Sequence, residues 1–162
     1  MREFSLIDLE WMGRAFALAE KAGLAGEIPV GAVVVYDGAV IGEASNSKEA
    51  DRDPLAHAEL LALREASRVR DAWRLSGCTL YVTLEPCGMC AGALVQARVD
   101  RVVYATRDPK TGAVHSLYQM LSDERLNHQI EVLEGVMADE SQALLKRFFT
   151  ELRGKKKLTH SE

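Results

Sequence analysis

The sequence predicts an α/β layered domain built on a mixed, five-stranded sheet. Two observations carry that prediction. Short β-branched, apolar runs alternate with longer stretches whose apolar residues recur every three or four positions. The first two runs, "GAVVVY" and "AVIGEAS", are joined by Asp37-Gly38, a two-residue hairpin signal, whereas helical segments separate the later ones. A hairpin followed by strands that alternate with helices makes a layered domain with a mixed sheet.

Each element follows from its own pattern. Residues 6–22 read as an amphipathic helix with Leu9, Met12, Phe16, Ala19 and Ala22 on one side, ended by Gly23 and Gly26. Residues 31–36 form a buried strand, and 39–45 return antiparallel to it. Residues 46–55 are a polar loop. Asp53-Pro54 is a helix-start signal: a capping carboxylate, then the one residue that lacks the N–H a first turn cannot use. That helix runs to about Arg70. "TLYVT" (79–83) is a strand, and a second helix runs from about Cys87 to Arg98. "RVVYA" (101–105) and "IEVLE" (130–134) are the last strands. The last helix is 139–153, with Leu144, Leu145, Phe148 and Phe149 on its apolar side. Residues 106–129 are weakly patterned, and unpatterned loops of that length are usually functional or disordered. The domain is expected to span 1–154, with 155–162 a flexible basic tail.

Bulk properties narrow the function classes. A chain of 162 residues fits one domain with a proper core. No apolar run reaches the roughly 18 residues of a membrane span. The first ten residues, "MREFSLIDLE", carry acids where a secretory signal would be apolar, so a cytoplasmic chain is expected. The cysteines are Cys78, Cys87 and Cys90. An odd count with one tight pair is a poor disulfide framework and points to metal binding or redox chemistry. A net charge of −4 argues against a chain coated in nucleic acid, although a local basic patch can do that work. "LLKRFFTELRGKKKL" holds six basic residues and one acid, which read either as a solvated tail or, with Arg107 and Lys110, as phosphate contacts.

Two stretches carry chemistry. In "LEPCGMCAG", Cys87 and Cys90 stand one turn apart at a helix start, where the helix field favours thiolates. In "PLAHAELLAL", His57 and Glu59 are the only polar residues, yet a spacing of two puts them on different faces of a regular helix. Three readings compete. A closed structural zinc site needs a fourth ligand, and Cys78, at a strand start, is better suited to be a small buried hydrophobe. A thioredoxin-like redox pair fits the local context but leaves His57 and Glu59 unexplained. A catalytic zinc with three protein ligands and one open position uses them all: His57, Cys87 and Cys90 hold the metal, and Glu59 moves protons at the water beside it.

His-x-Glu followed by Pro-Cys-x-x-Cys is the signature of zinc-dependent nucleobase deaminases. The chain resembles the bacterial tRNA-specific adenosine deaminases over residues 28–150, through "IPVGAVVV", Asn46, "DPLAHAE", "TLYVTLEPCGMCAGAL", "RVVYATRDPKTGA", "LNH" and "GVMADE" before an apolar helix with "FF". Leu55 stands where that family usually has threonine. The resemblance implies a cytidine-deaminase-like three-layer α/β/α domain, one Zn2+ per chain and no organic cofactor. It implies hydrolysis of the wobble adenosine to inosine in the anticodon stem-loop of an arginine tRNA, with Glu59 shuttling the proton to the departing amine. Asn46, Asp108 and Asn127 match its substrate-side positions, and its members are homodimers in which both subunits touch RNA. Deaminases of free guanine or cytosine share the zinc signature and are the alternative; "RDPKTGA" and "LNH" favour the tRNA enzyme.

Overall fold

The computed structural model describes residues 3–160. Helix α1 (Leu6–Leu24) leads into a hairpin of β1 (Gly31–Tyr36) and β2 (Ala39–Ser45). A short helix α2 (Lys48–Asp51), the longer α3 (Ala58–Arg70), β3 (Thr79–Leu84), α4 (Gly88–Gln96) and β4 (Arg101–Thr106) follow. A single 3-10 turn at Met120–Ser122 interrupts the loop before β5 (Glu131–Glu134) and α5 (Ala138–Thr159). The sheet order is β2-β1-β3-β4-β5; β1 is antiparallel to both neighbours, and β3, β4 and β5 are parallel.

The continuous apolar runs of the central strands have a direct cause: both faces of the sheet are covered. Side chains alternate between faces, so neighbours in sequence enter different cores. Val34, Leu80 and Val102 share one register row and pack with Ala62 and Ala66 of α3 and Leu94 of α4. Val33, Tyr81 and Val103 form the next row and pack with Met12 and Ala15 of α1 on the opposite face. Helix α5 lies beside α1 and over β3 and β4. The result is the three-layer α/β/α arrangement expected from the resemblance.

Two glycines set how closely the layers approach. A Cβ on Gly31 would lie 2.0 Å from the Ala15 carbonyl oxygen, and one on Gly42 would lie 2.2 Å from that of Ala62. Helices α1 and α3 therefore rest their backbones on the hairpin, which only alanine-rich faces permit. The hairpin turn has positive φ at both Asp37 (50°) and Gly38 (75°), as its two-residue loop requires. A buried polar tie adds to the apolar contacts. Asp8 of α1 accepts from the Tyr81 hydroxyl (2.8 Å) and from both ends of the Arg101 fork (2.8 and 3.0 Å).

Three sequence expectations give way here. Asp53-Pro54 does not start α3. Asp53 Oδ1 instead accepts from the Leu55 N–H at 2.8 Å, a local turn, and the helix begins at Ala58. Residues 48–51, expected as loop, form α2. Residues 155–159 continue α5 as one helix, because nothing in "RGKKKLT" breaks it apart from a tolerated Gly154. Among the described residues no helix is long and apolar enough to cross a membrane.

Candidate active site

Two helix starts converge at one edge of the sheet. His57 is the residue flanking α3 and Cys87 the residue flanking α4; both have extended backbones (φ −82°, ψ 144° and φ −73°, ψ 176°). That resolves the spacing of His57 and Glu59. His57 lies outside the helix and Glu59 in its first turn, so helical geometry does not separate them, and both line one cavity. Cys90 sits one turn into α4, fully buried.

His57 Nδ1 lies 3.7 Å from Cys87 Sγ and 3.5 Å from Cys90 Sγ, and the three ligand atoms all fall within 4.8 Å of one another. A tetrahedral zinc, with bonds of about 2.3 Å to sulfur and about 2.0 Å to nitrogen, demands an N···S separation of about 3.5 Å. The donor set and its spacing fit that ion. Cys78 is not part of the group: it is buried in the core, and Arg70 donates to its sulfur at 3.5 Å.

The electrostatics suit proton transfer. Burial raises the Glu59 carboxyl to about 7, so both of its forms are accessible near neutral pH. The Cys90 thiol donates to Cys87 and helps hold it down at about 4, while the hydrogen bond with Cys87 raises His57. One thiolate is therefore present at neutral pH before any ion is considered.

The cavity beside this group has a volume of about 650 Å³. Asn46 lines it and has a second task. Its Oδ1 accepts from the Ala58 N–H at 2.8 Å and so supplies the cap that His57, at the flanking position, does not. Asp108 also lines the cavity, but its carboxylate is engaged by its own loop: by the N–H groups of Lys110 (3.0 Å) and Thr111 (3.3 Å) and by the Thr111 hydroxyl (2.6 Å). Arg107 makes a two-pronged bond to Glu134, 2.8 Å at each prong. Asn127 stands exposed between the 3-10 turn and β5 and does not line the cavity. Sequence reasoning missed Lys48, which lines it from α2, and the lining by Leu145 and Phe149 of α5, whereas Lys146 and Arg153 come from the basic stretch it singled out for phosphate contacts.

The profile of the MafB19-like deaminases matches residues 7–153. A tRNA-specific adenosine deaminase from Bacillus subtilis (strain 168) is 49% identical over 147 residues, 91% of each chain. The chain belongs to the tRNA-specific adenosine deaminase family. A member from Haemophilus influenzae is 46% identical and covers 95% of this chain and 90% of its own. A solved structure from studies of A-to-I editing by tRNA:A34 deaminases superposes with a TM-score of 0.80 at 41% identity, over 83% of this chain and 98% of that one. A guanine deaminase from Nitrosomonas europaea is more distant, at 26% identity and a TM-score of 0.77 over 91% of this chain and 86% of its own. Membership makes this chain a deaminase.

Proposed function

We propose that the chain hydrolyses the wobble adenosine of a tRNA anticodon, that of an arginine tRNA, to inosine, with one zinc per chain held by His57, Cys87 and Cys90. The observation that carries this reading is buried Glu59 beside that ligand group, in a cavity also lined by cationic and aromatic residues of α5. Zinc in that site would polarise a water at neutral pH. The remaining work falls to the chain's own groups. Glu59 takes a proton from the water as the C6–O bond forms and delivers it to the amino nitrogen as the C6–N bond breaks. Adenosine and water are consumed; inosine and ammonia leave. Because Asn46 commits its oxygen to Ala58, its NH2 is the end it offers the base, a donor matched to a ring-nitrogen acceptor. Asp108 shapes the wall beside the base.

An unpaired loop base can enter such a cavity, and a base in a duplex cannot. Lys48, Arg107, Lys110, Lys146 and Arg153 surround the cavity and suit phosphate contacts, and Phe149 suits stacking with a neighbouring base. Exposed Asn127 and Arg125 enter this reading as contacts to RNA outside the cavity. The reading includes a homodimer, supported by exposed Met89 at the start of α4 and exposed Leu117 and Tyr118 in the loop after β4, and a cytoplasmic setting.

The alternative is a deaminase of free bases, favoured by the likeness to guanine deaminase. One experiment separates them: deamination of an arginine anticodon stem-loop across a salt series, beside turnover of adenine, guanine and cytosine in the same buffer. Inosine in the stem-loop, falling steeply with salt, is the expected result. Fast turnover of a free base with no reaction on the stem-loop would overturn it.

A further inference from the structure

Glu85 is a buried carboxylate that the chemistry above leaves unused. It is 2% exposed and lies two residues before Cys87. Five hydrogen bonds converge on it. Oε1 accepts from the Asp108 N–H at 3.0 Å and from the Ser116 hydroxyl. Oε2 accepts from the N–H groups of Val114 (3.0 Å), His115 (2.9 Å) and Ser116 (2.9 Å). Every donor belongs to one stretch, 108–116, which has no helix or strand of its own. The Glu85 N–H donates to the Thr106 carbonyl at 2.8 Å, so the same residue also holds the point where this stretch leaves β4.

The fit around the carboxylate is close. A Cβ on Gly112 would stand 2.3 to 2.5 Å from the three carboxyl atoms, so only glycine lets the loop wrap them. Gly112 bridges to Cys87, and the Ala113 N–H donates to the Pro86 carbonyl at 2.9 Å, which ties the loop to the strand end that carries the first cysteine. The wrapped stretch presents Asp108, Pro109, Lys110 and Thr111 to the cavity. A carboxylate accepts on both oxygens and carries no donor, so every one of the five donors meets an acceptor. A glutamine there has one oxygen, and its NH2 would oppose N–H groups that have no other partner.

We infer that Glu85 is a positioning residue: a buried anion around which the 108–116 loop folds, holding the substrate-facing wall in place before substrate arrives. The wall is thereby preorganised, and a loop-sized substrate does not have to order it on binding. The consequence for substrate rests on the tRNA reading above; the anchoring itself does not.

The test uses full-length protein in two variants, Glu85→Gln and the milder Ser116→Ala, which removes a single donor. Amide hydrogen exchange at 108 and 114–116, zinc content, and kcat and KM on the anticodon stem-loop are measured together. Glu85→Gln is expected to keep one zinc per chain, lose amide protection across the loop, raise KM about tenfold and change kcat less than about threefold. Ser116→Ala is expected to move KM in the same direction by about two- to threefold. Unchanged protection and KM would overturn the inference, as would loss of zinc or a fall in kcat at constant KM. If Glu85→Gln does not fold, Ser116→Ala decides alone, and no change in its KM or protection overturns it. If wild-type protein turns over free bases and not the stem-loop, the substrate reading fails, while the exchange measurement still decides whether Glu85 anchors the loop.

Discussion

Asn46 caps a helix that begins twelve residues later: its Oδ1 accepts from the Ala58 N–H at 2.8 Å. One side chain thereby fixes the start of α3, beside His57, and also lines the cavity, where the proposed reading gives its NH2 to the base. The two tasks can be separated by mutation. Asn46→Ala removes both and should lower stability by about 1 kcal/mol, the usual loss for a helix cap. Asn46→Asp keeps the accepting oxygen and adds a charge favoured at a helix N-terminus, so its melting temperature should stay near that of the wild type while KM rises. Thermal melts beside steady-state kinetics check this. An aspartate variant with unaltered KM would remove the NH2 group from substrate recognition.

The same contact marks where the sequence stopped being legible. The five strands were readable because each has a local signature: an apolar run buried on both faces in β1, β3 and β4, a hairpin dipeptide before β2, and a short β-branched and apolar stretch in half-buried β5. The ligand group was readable because Cys87 and Cys90 lie one turn apart. Asp53-Pro54, by contrast, carries a valid local start signal that tertiary structure overrides, since the cap arrives from Asn46 across a loop. Glu85 was hidden for the same reason: its donors lie 23 to 31 residues downstream. The basic residues of α5 were visible as a charge run, but only the packing of α5 brings Lys146 and Arg153 to the cavity.

Glu59 is buried, lines the cavity and is not one of the three residues that could hold the metal. Glu59→Ala should therefore fold and bind zinc normally, while deamination falls by the roughly 10²–10⁴ typical of a general acid–base group. Metal analysis and single-turnover assays on one preparation test this. Retained activity in the zinc-loaded variant would exclude Glu59 from the proton transfer.

The ligand assignment makes its own prediction. His57→Ala, Cys87→Ala and Cys90→Ala should each lose most bound zinc, whereas Cys78→Ala should keep one zinc per chain. Elemental analysis of the four variants decides this. Loss of zinc from the Cys78 variant would mean a closed, four-ligand site with no place for water.

Asp8 gives a pH prediction away from the active site. The Arg101 hydrogen bonds hold its carboxyl at about 2, against 3.8 ordinarily. A carboxyl lowered in the folded state adds stability above its unfolded pKa and loses it as pH falls through the folded value. Asp8→Asn should therefore cost about 2 kcal/mol at neutral pH, and the gap from wild type should close between about pH 4 and pH 2. Denaturant titrations across that range measure the gap. A constant difference at all pH values would show that the Asp8 charge contributes nothing.

The end of α5 offers the sharpest test of the RNA reading. Residues 155–159 are exposed and helical, and Arg153 lines the cavity. Deleting 153–162 removes Arg153, Lys155, Lys156 and Lys157 but touches no zinc ligand. If all four cations meet phosphates, the slope of log affinity against log salt should become shallower by up to about 3, since each contact to single-stranded RNA contributes about 0.7. Binding of an anticodon stem-loop should weaken several-fold at moderate salt, with zinc content unaltered, and the two proteins should converge as salt rises. Equal slopes for the full and shortened chains would make the lysine run a solvated helix end and leave phosphate binding to Lys48, Arg107, Lys110 and Lys146.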